Sequence, residues 1–244
     1  MSRPVVHCIT NAVTAPRVAD ALAALGAEPI LASAPDEVAE IARAAGALVL
    51  NCGTPSAERF AAMRAAAREA RAHDHPIVLD PVGCGASAWR TRCIRDLAAA
   101  AAPTVVRGNA AEVAVLAGIT DGPALRGVRS DDAEPELLER IARSASATLR
   151  AVVLATGQGT DVASDGSVAH GLTVDAAVLG HVVGAGDVLS AMIGAFLARG
   201  GAPLDAALAA HAAFAAAAGR AAGLGPGGFW PSFLDALAAD GSDG

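Results

Sequence analysis

The residues best suited to chemistry lie in one stretch, Val182–Phe196, reading VVGAGDVLSAMIGAF. It opens with Gly184-Ala185-Gly186-Asp187 and passes straight into an apolar run at helical spacing: Val188, Leu189, Met192, Ile193, Phe196. Two glycines ahead of a helix let the backbone turn sharply and bring successive N–H groups close to a ligand. Those N–H groups are the unpaired donors of the helix's first turn, and the macrodipole adds partial positive charge there. The backbone of Gly184, Ala185 and Gly186 is thus read as an anion hole suited to a phosphoryl group, with the Asp187 carboxylate at its edge. A base for a hydroxyl beside donors for charge in flight is what phosphoryl transfer to an alcohol requires. A plain turn with an Asp at the cap or in the first helical turn has the same appearance. The elements around the motif have to decide between the two.

Bulk properties narrow the field. A chain of 244 residues can bury one large core, so a single α/β domain over residues 1–244 is expected. Hydrophobic residues reach 53%, yet much of that is alanine in helical stretches, and no window holds 18 apolar residues in a row. A membrane span is therefore not expected. The N-terminus, MSRPVVHCIT, has too short an apolar run for a secretory signal, so the expected setting is the cytoplasm. Net charge is −7 without blocks of like charge, and aromatics are 3%, which leaves no basic, stacking surface for nucleic acid. Cys8, Cys52, Cys84 and Cys93 form no CxxC pair and have no metal-type spacing with His; they read as buried or partly buried thiols. All 18 basic residues are Arg. Without Lys there is no P-loop and no Schiff-base chemistry. G-x-G-x-x-G and G-x-S-x-G are also absent, removing the best signals for a dinucleotide fold and for a hydrolase elbow.

The elements that must position the glycine motif alternate between two periods. Short β-rich runs occur at Val5–Ile9, Pro29–Leu31, Leu48–Asn51, Ile77–Leu79, Thr104–Val106 and Val152–Ala155. Between them lie amphipathic stretches at Val13–Leu25, Asp36–Ala45, Ser56–His73, Ala88–Ala101 and Asn109–Ala117. Strand alternating with helix predicts a mostly parallel sheet covered on both faces. Gly118–Pro135 reads as a loop, and Asp161–Ser164 with Val168–Gly171 as a hairpin about a two-residue Asp165-Gly166 turn. Helices at Val188–Arg199 and Leu204–Leu224 follow, then a short one near Ser232–Ala239.

Ligands of such sheets bind at the C-terminal strand ends, so the polar and glycine residues just after each apolar run carry the information. They are Thr10-Asn11, Asn51–Thr54, Asp80–Gly85, Arg107–Glu112 and Thr156-Gly157. Each has a local explanation: Asn109 with Glu112 forms the pattern of a capping box, and Asp80 before Pro ends a strand. Together they bring an Asn, two acids, an Arg and a Thr to the edge that Asp187 occupies.

Taken in series, these segments resemble the hydroxyethylthiazole kinases of the ribokinase-like superfamily. The matching stretches are HCITN (7–11), AEPILASA (27–34), GALVLNCGT (46–54), VLDPVGCGA (78–86), PTVVRGNAAE (103–112), GVRS (127–130), ATG (155–157) and Val182–Ser190, in the family's order and over nearly the whole chain. The resemblance implies a ribokinase-like three-layer α/β/α fold with a mostly parallel central sheet. It implies ATP-dependent phosphorylation of the primary alcohol of 4-methyl-5-(2-hydroxyethyl)thiazole, in thiamine biosynthesis or salvage. By position, Arg107 and Thr156 would contact ATP phosphates, and Asp80 and Glu112 would organise Mg²⁺ directly or through water. Leu31 would hold the thiazole alcohol by its backbone, with Asn11 close by and Gly184 contacting substrate at the mouth of the anion hole. A homotrimer with active sites at subunit interfaces is also implied.

Besides GVRS, where the family usually has GVDS, two departures from the family pattern matter: it has Cys where this chain has Asp187 and Thr where it has Val183. An Asp there is the usual base of the wider superfamily, and a carboxylate is a ready base at neutral pH, whereas an unperturbed thiol is mostly protonated. These departures are what favour a kinase for another small alcohol, such as hydroxymethylpyrimidine, a sugar or a vitamin; the HCITN and AEPILASA segments favour the thiazole. A nucleotide- or thiazole-binding protein without turnover is the alternative of another class.

Overall fold

The computed structural model describes residues 3–119 and 134–241. The GVRS segment at 127–130 and most of the expected 118–135 loop lie outside the described residues. In chain order the elements are β1 (Val5–Ile9), α1 (Ala15–Ala24), β2 (Glu28–Ile30), α2 (Val38–Ala44), β3 (Ala47–Asn51), α3 (Ala57–Ala72), β4 (Ile77–Asp80), α4 (Ala88–Ala101), β5 (Val105–Asn109) and α5 (Ala110–Ala117). Then come α6 (Pro135–Leu149), β6 (Val152–Thr156), β7 (Thr160–Ser164), β8 (Ala169–Thr173), a 3-10 turn (Ala177–His181), α7 (Ala185–Ala198), α8 (Pro203–Ala221) and α9 (Pro226–Gly241).

The sheet runs in the order β2-β1-β3-β4-β5-β6-β7-β8. Strands β1 to β6 pair in parallel, and β7 and β8 add an antiparallel edge. Because successive side chains of a strand point to opposite faces, the sheet divides the core in two. Val6, Val49, Val78 and Val105 pack with α1, α7, α8 and α9. Leu48, Leu50, Leu79 and Val106 pack with α2 to α6 on the other face. This is the expected three-layer α/β/α arrangement, and Cys8, Cys52 and Cys84 are indeed buried free thiols. Among the described residues no helix is long and apolar enough to cross a membrane.

Three elements differ from the sequence reading. No element is expected between Pro135 and Val152, yet α6 occupies that interval. Its buried Leu138, Ile141, Ala142 and Ala145 recur at i, i+3, i+4 and i+7, a helical period diluted by the Ser and Arg residues between them. Helix α9 starts six residues before Ser232 and continues through Pro231. Proline normally clashes with the carbonyl four residues back, here that of Gly227. The fully buried Phe229 and Phe233, stacked on each other either side of Pro231, hold the helix across it. The hairpin turn is longer than the expected pair of residues: Ser164 faces Ala169, leaving a four-residue loop in which the Asp165 carboxylate accepts the N–H groups of Ser167 and Val168. An Asp at the start of a loop satisfies its backbone in this way, and so outcompetes the tighter turn.

Candidate active site

Helix α7 begins where the glycine motif predicts. Gly184 is its N-cap, in the left-handed region at φ +94°, and a Cβ there would meet Thr14 Cγ2 at 2.5 Å. The conformation and the space both require glycine. The first intrahelical bond runs from Val188 N–H to Gly184 O, 3.0 Å. The N–H groups of Ala185, Gly186 and Asp187 therefore precede the helical ladder and form its orphan donors.

Asp187 lies in this first turn but makes no capping bond. Its Oδ2 accepts Asn11 Nδ2–H at 2.8 Å and the Thr14 hydroxyl at 2.5 Å, and its Oδ1 accepts Asn51 Nδ2–H at 2.8 Å. Asn11 is itself fixed, its Oδ1 accepting the N–H groups of Val13 and Thr14. A carboxylate offers about four acceptor positions. Three are taken, two of them on Oδ2, so the remaining one is on Oδ1. Asp187 is therefore a first-turn acid but not a cap: its side chain is aimed across the chain at β1, β3 and the entry to α1, not at its own backbone. Sequence reading places Asn11 at the site but does not assign Asn51 or Thr14 a role. Asn51 carries the signal of a polar strand end, whereas Thr14 resembles an ordinary N-cap of α1, though its hydroxyl makes no capping bond.

On the other side of the motif, Arg107 Nη2–H donates to Thr156 Oγ1 at 3.0 Å, and Nη1 stands 3.7 Å from Asp80 Oδ2. The guanidinium lies against the α7 backbone so closely that a Cβ on Gly186 would come within 2.0 Å of Nη1. A cation at a helix N-terminus is unfavourable by itself, because both carry positive charge; an anion between them resolves that conflict. Asp80, at the end of β4 and 1% exposed, accepts the Ser190 hydroxyl at 2.7 Å and the Val82 N–H at 3.1 Å. Burial pushes its carboxyl up to about 7; Arg107 opposes the shift, and the neighbouring Asp187 and Glu112 charges add to it. Glu112 completes the expected capping box with Asn109, and its Oε1 accepts Gly83 N–H at 2.8 Å, tying the loop after β4 to α5.

Asp80, Arg107, Glu112, Thr156 and Gly184–Asp187 line one cavity of about 900 Å³. Five carboxyl groups, those of Asp80, Glu112, Asp161, Asp175 and Asp187, line it against one guanidinium, a deficit of positive charge. Hard carboxylate oxygens are the ligand type Mg²⁺ prefers. Among the described residues no group of three or more His, Cys, Asp or Glu side chains forms a metal cage. Such a donor set suits an ion that keeps its waters and takes further ligands from phosphates. The cavity also has walls that the sequence reading missed, including Gln158, Asp161, Val174, Leu179 and Phe214. The segment after β8 has no period to mark it, and Phe214 looks like any core position of α8. Leu31 is not in the wall: it follows the outer strand β2, 39% exposed, on a segment held by a His7 Nε2–H bond to Ala32 O.

A model of the hydroxyethylthiazole kinase family matches residues 1–240. Hydroxyethylthiazole kinase from Granulibacter bethesdensis is 44% identical over 240 residues, covering 97% of this chain and 85% of the relative. The enzyme of that name from Rubrobacter xylanophilus is 42% identical over 245 residues, covering 99% and 89%. Among solved structures, hydroxyethylthiazole kinase from Pyrococcus horikoshii superposes with a TM-score of 0.87 at 34% identity, covering 97% of this chain and 88% of that one. A pyridoxal kinase from Staphylococcus aureus (TM-score 0.69, 17% identity, 89% and 88% covered) shares the fold alone.

Proposed function

Because the chain belongs to the hydroxyethylthiazole kinase family, we propose that it transfers the γ-phosphoryl group of ATP to the primary alcohol of 4-methyl-5-(2-hydroxyethyl)thiazole, with Asp187 as the base. The observation that carries this reading is the Asp187 carboxylate, held by Asn11, Thr14 and Asn51 with an acceptor position left on Oδ1, in the first turn of α7 beside Arg107. The alcohol donates its proton to Oδ1, and the alcohol oxygen forms its bond to the γ-phosphorus as the bond to the bridging β-oxygen breaks. The products are the phosphate ester, ADP and a protonated Asp187, which then returns its proton to water. The N–H groups of Ala185, Gly186 and Asp187 and the Arg107 guanidinium receive the equatorial oxygens, in a preorganised arrangement that costs no reorientation during the step. Thr156 holds Arg107 in place. Asp80 and Glu112 would hold Mg²⁺ directly or through water, and the ion would supply the positive charge that the acidic cavity wall lacks. The reading includes a homotrimer with its active sites at subunit interfaces: Leu31 stands outside the single-chain cavity, and Val13 and Val183 beside the site are exposed apolar residues.

Asp187 and Val183 also fit a kinase for a different small alcohol. ADP release from Mg-ATP is the deciding measurement, over a panel of hydroxyethylthiazole, hydroxymethylpyrimidine, ribose and pyridoxal. Selective turnover of the thiazole is expected. Turnover of another alcohol alone would overturn the substrate, and silence across the panel would overturn phosphoryl transfer.

A further inference from the structure

Helix α8 buries a histidine that the mechanism above does not use. His211 is 2% exposed, and its Nε2 lies 2.9 Å from Asp161 Oδ2 on β7. An ionised carboxylate only accepts, so Nε2 carries the hydrogen. The other oxygen, Oδ1, accepts the N–H of Gly157 at 3.0 Å. Gly157 opens the β6–β7 turn, which is too tight for a side chain: a Cβ there would come within 2.9 Å of Thr160 O. The residue before it, Thr156, receives the Arg107 hydrogen bond. A continuous set of polar contacts therefore runs from α8 through Asp161 to the turn and on to the guanidinium lying across the N-terminus of α7.

From this we infer that His211 is a positioning residue for the nucleotide, acting through Asp161 on the Thr156–Gly159 turn; the inference rests on the cavity being a nucleotide site, as proposed above. Asp161, Gly157, Gln158 and Gly159 all line the cavity. Without its histidine, the Asp161 carboxylate would be a desolvated charge with one donor, and it would seek others among the turn's N–H groups or admit water. Freed to turn, the Asp161 carboxylate could also point into a wall that already carries Asp80, Glu112, Asp175 and Asp187 against Arg107. Both effects oppose a polyanionic ligand. Neither acts on the Asn11, Thr14 and Asn51 contacts that hold Asp187.

The test uses H211L, which removes the donor at similar bulk, and H211Q, whose amide nitrogen can occupy the position of Nε2. ADP affinity is measured by titration calorimetry without any alcohol, and the KM values for ATP and for the thiazole alcohol are measured separately. H211L is expected to weaken ADP binding and raise the ATP KM by about tenfold or more while the alcohol KM stays within about twofold, because a displaced nucleotide wall misplaces one substrate only. H211Q should recover most of the loss, which a role confined to packing would not predict. Should H211L lack a cooperative melt, H211N takes its place, since its amide stops short of Asp161. Unchanged ADP binding in H211L, an equal loss for both substrates, or H211Q no better than H211L would each overturn the inference. Wild-type protein that binds no ADP would overturn the proposed function itself.

Discussion

At the scale of single residues, the site is decided by what surrounds each carboxylate. Asp187 is gripped by three donors and presents one acceptor position, so on the proposed mechanism its truncation removes an interaction made as the proton moves. Asp187→Ala is expected to lower kcat by about 10²–10⁴-fold with a modest change in KM, by steady-state kinetics; near-normal turnover would sink the base assignment. Asp80 offers a pH test in the metal-free protein. Its carboxyl stands at about 7 in the fold against an ordinary 3.8. Between those values the native state keeps a proton that the unfolded chain has lost. The stabilisation linked to that proton is complete below 3.8 and is lost as pH rises through about 7. Asp80→Asn removes the titration. The metal-free variant should unfold close to wild type at about pH 5 and be the more stable at about pH 8, by denaturant midpoints. A gap that is constant with pH would show that Asp80 is not held protonated. Thr14 and Asn51 mark the limit of sequence reading at this scale. Their types allow a local cap and a strand end, and only their meeting on Asp187 gives them a role.

At the scale of elements, α7 delivers the motif because it lies tightly on the sheet. A Cβ on Gly194 would meet Val49 Cγ2 at 2.5 Å and Val6 Cγ1 at 3.2 Å. Both are fully packed core positions, with no flexible side-chain end to swing away. Gly194→Ala should therefore cost about 1–3 kcal/mol in stability, measured by denaturant melts, because overpacking forces the helix off the sheet. The same displacement moves Asp187, so kcat should fall with it; an unchanged midpoint would show that the contact relaxes freely. Element identity was mostly legible: α4 spans the Ala88–Ala101 expected, and six parallel strands stand where β-rich runs occur. The β5 ladder extends three residues past the apolar run, to Asn109, because the Arg107–Asn109 backbone pairs with Leu154–Thr156 whatever the side chains are. Helices α6 and α9 were obscured for opposite reasons, polar dilution of a real period and a proline that neighbouring aromatics override.

At the scale of the whole molecule, the parallel strands carry Asn11, Asn51, Asp80, Arg107 and Thr156 to one edge of the sheet, and α7 crosses that edge with its N-terminus. Val13 is 65% exposed, Val183 62%, and Leu31 stands clear of the cavity. Apolar residues grouped at a site mouth fit a surface covered by another copy of the chain. Sedimentation equilibrium at micromolar concentration should return three times the 24.0 kDa chain mass. Leu31→Asp is expected to lower both that mass and the activity. A wild-type monomer with full turnover would remove the interfacial site from the reading.

What the sequence by itself determined is the alternation of strand and helix, the glycine turn at Gly184–Gly186 that opens a helix, and the identity of the groups at the strand ends. These depend on local backbone preference and side-chain period, which short windows express. Tertiary structure alone decided which of those groups touch. It set the three donors on Asp187, the shift of Asp80, the guanidinium over Gly186 and the His211–Asp161 link, since each is a contact between segments far apart in the chain. Burial and charge act through space, so their effect on a carboxylate is settled only when the sheet order has chosen its neighbours.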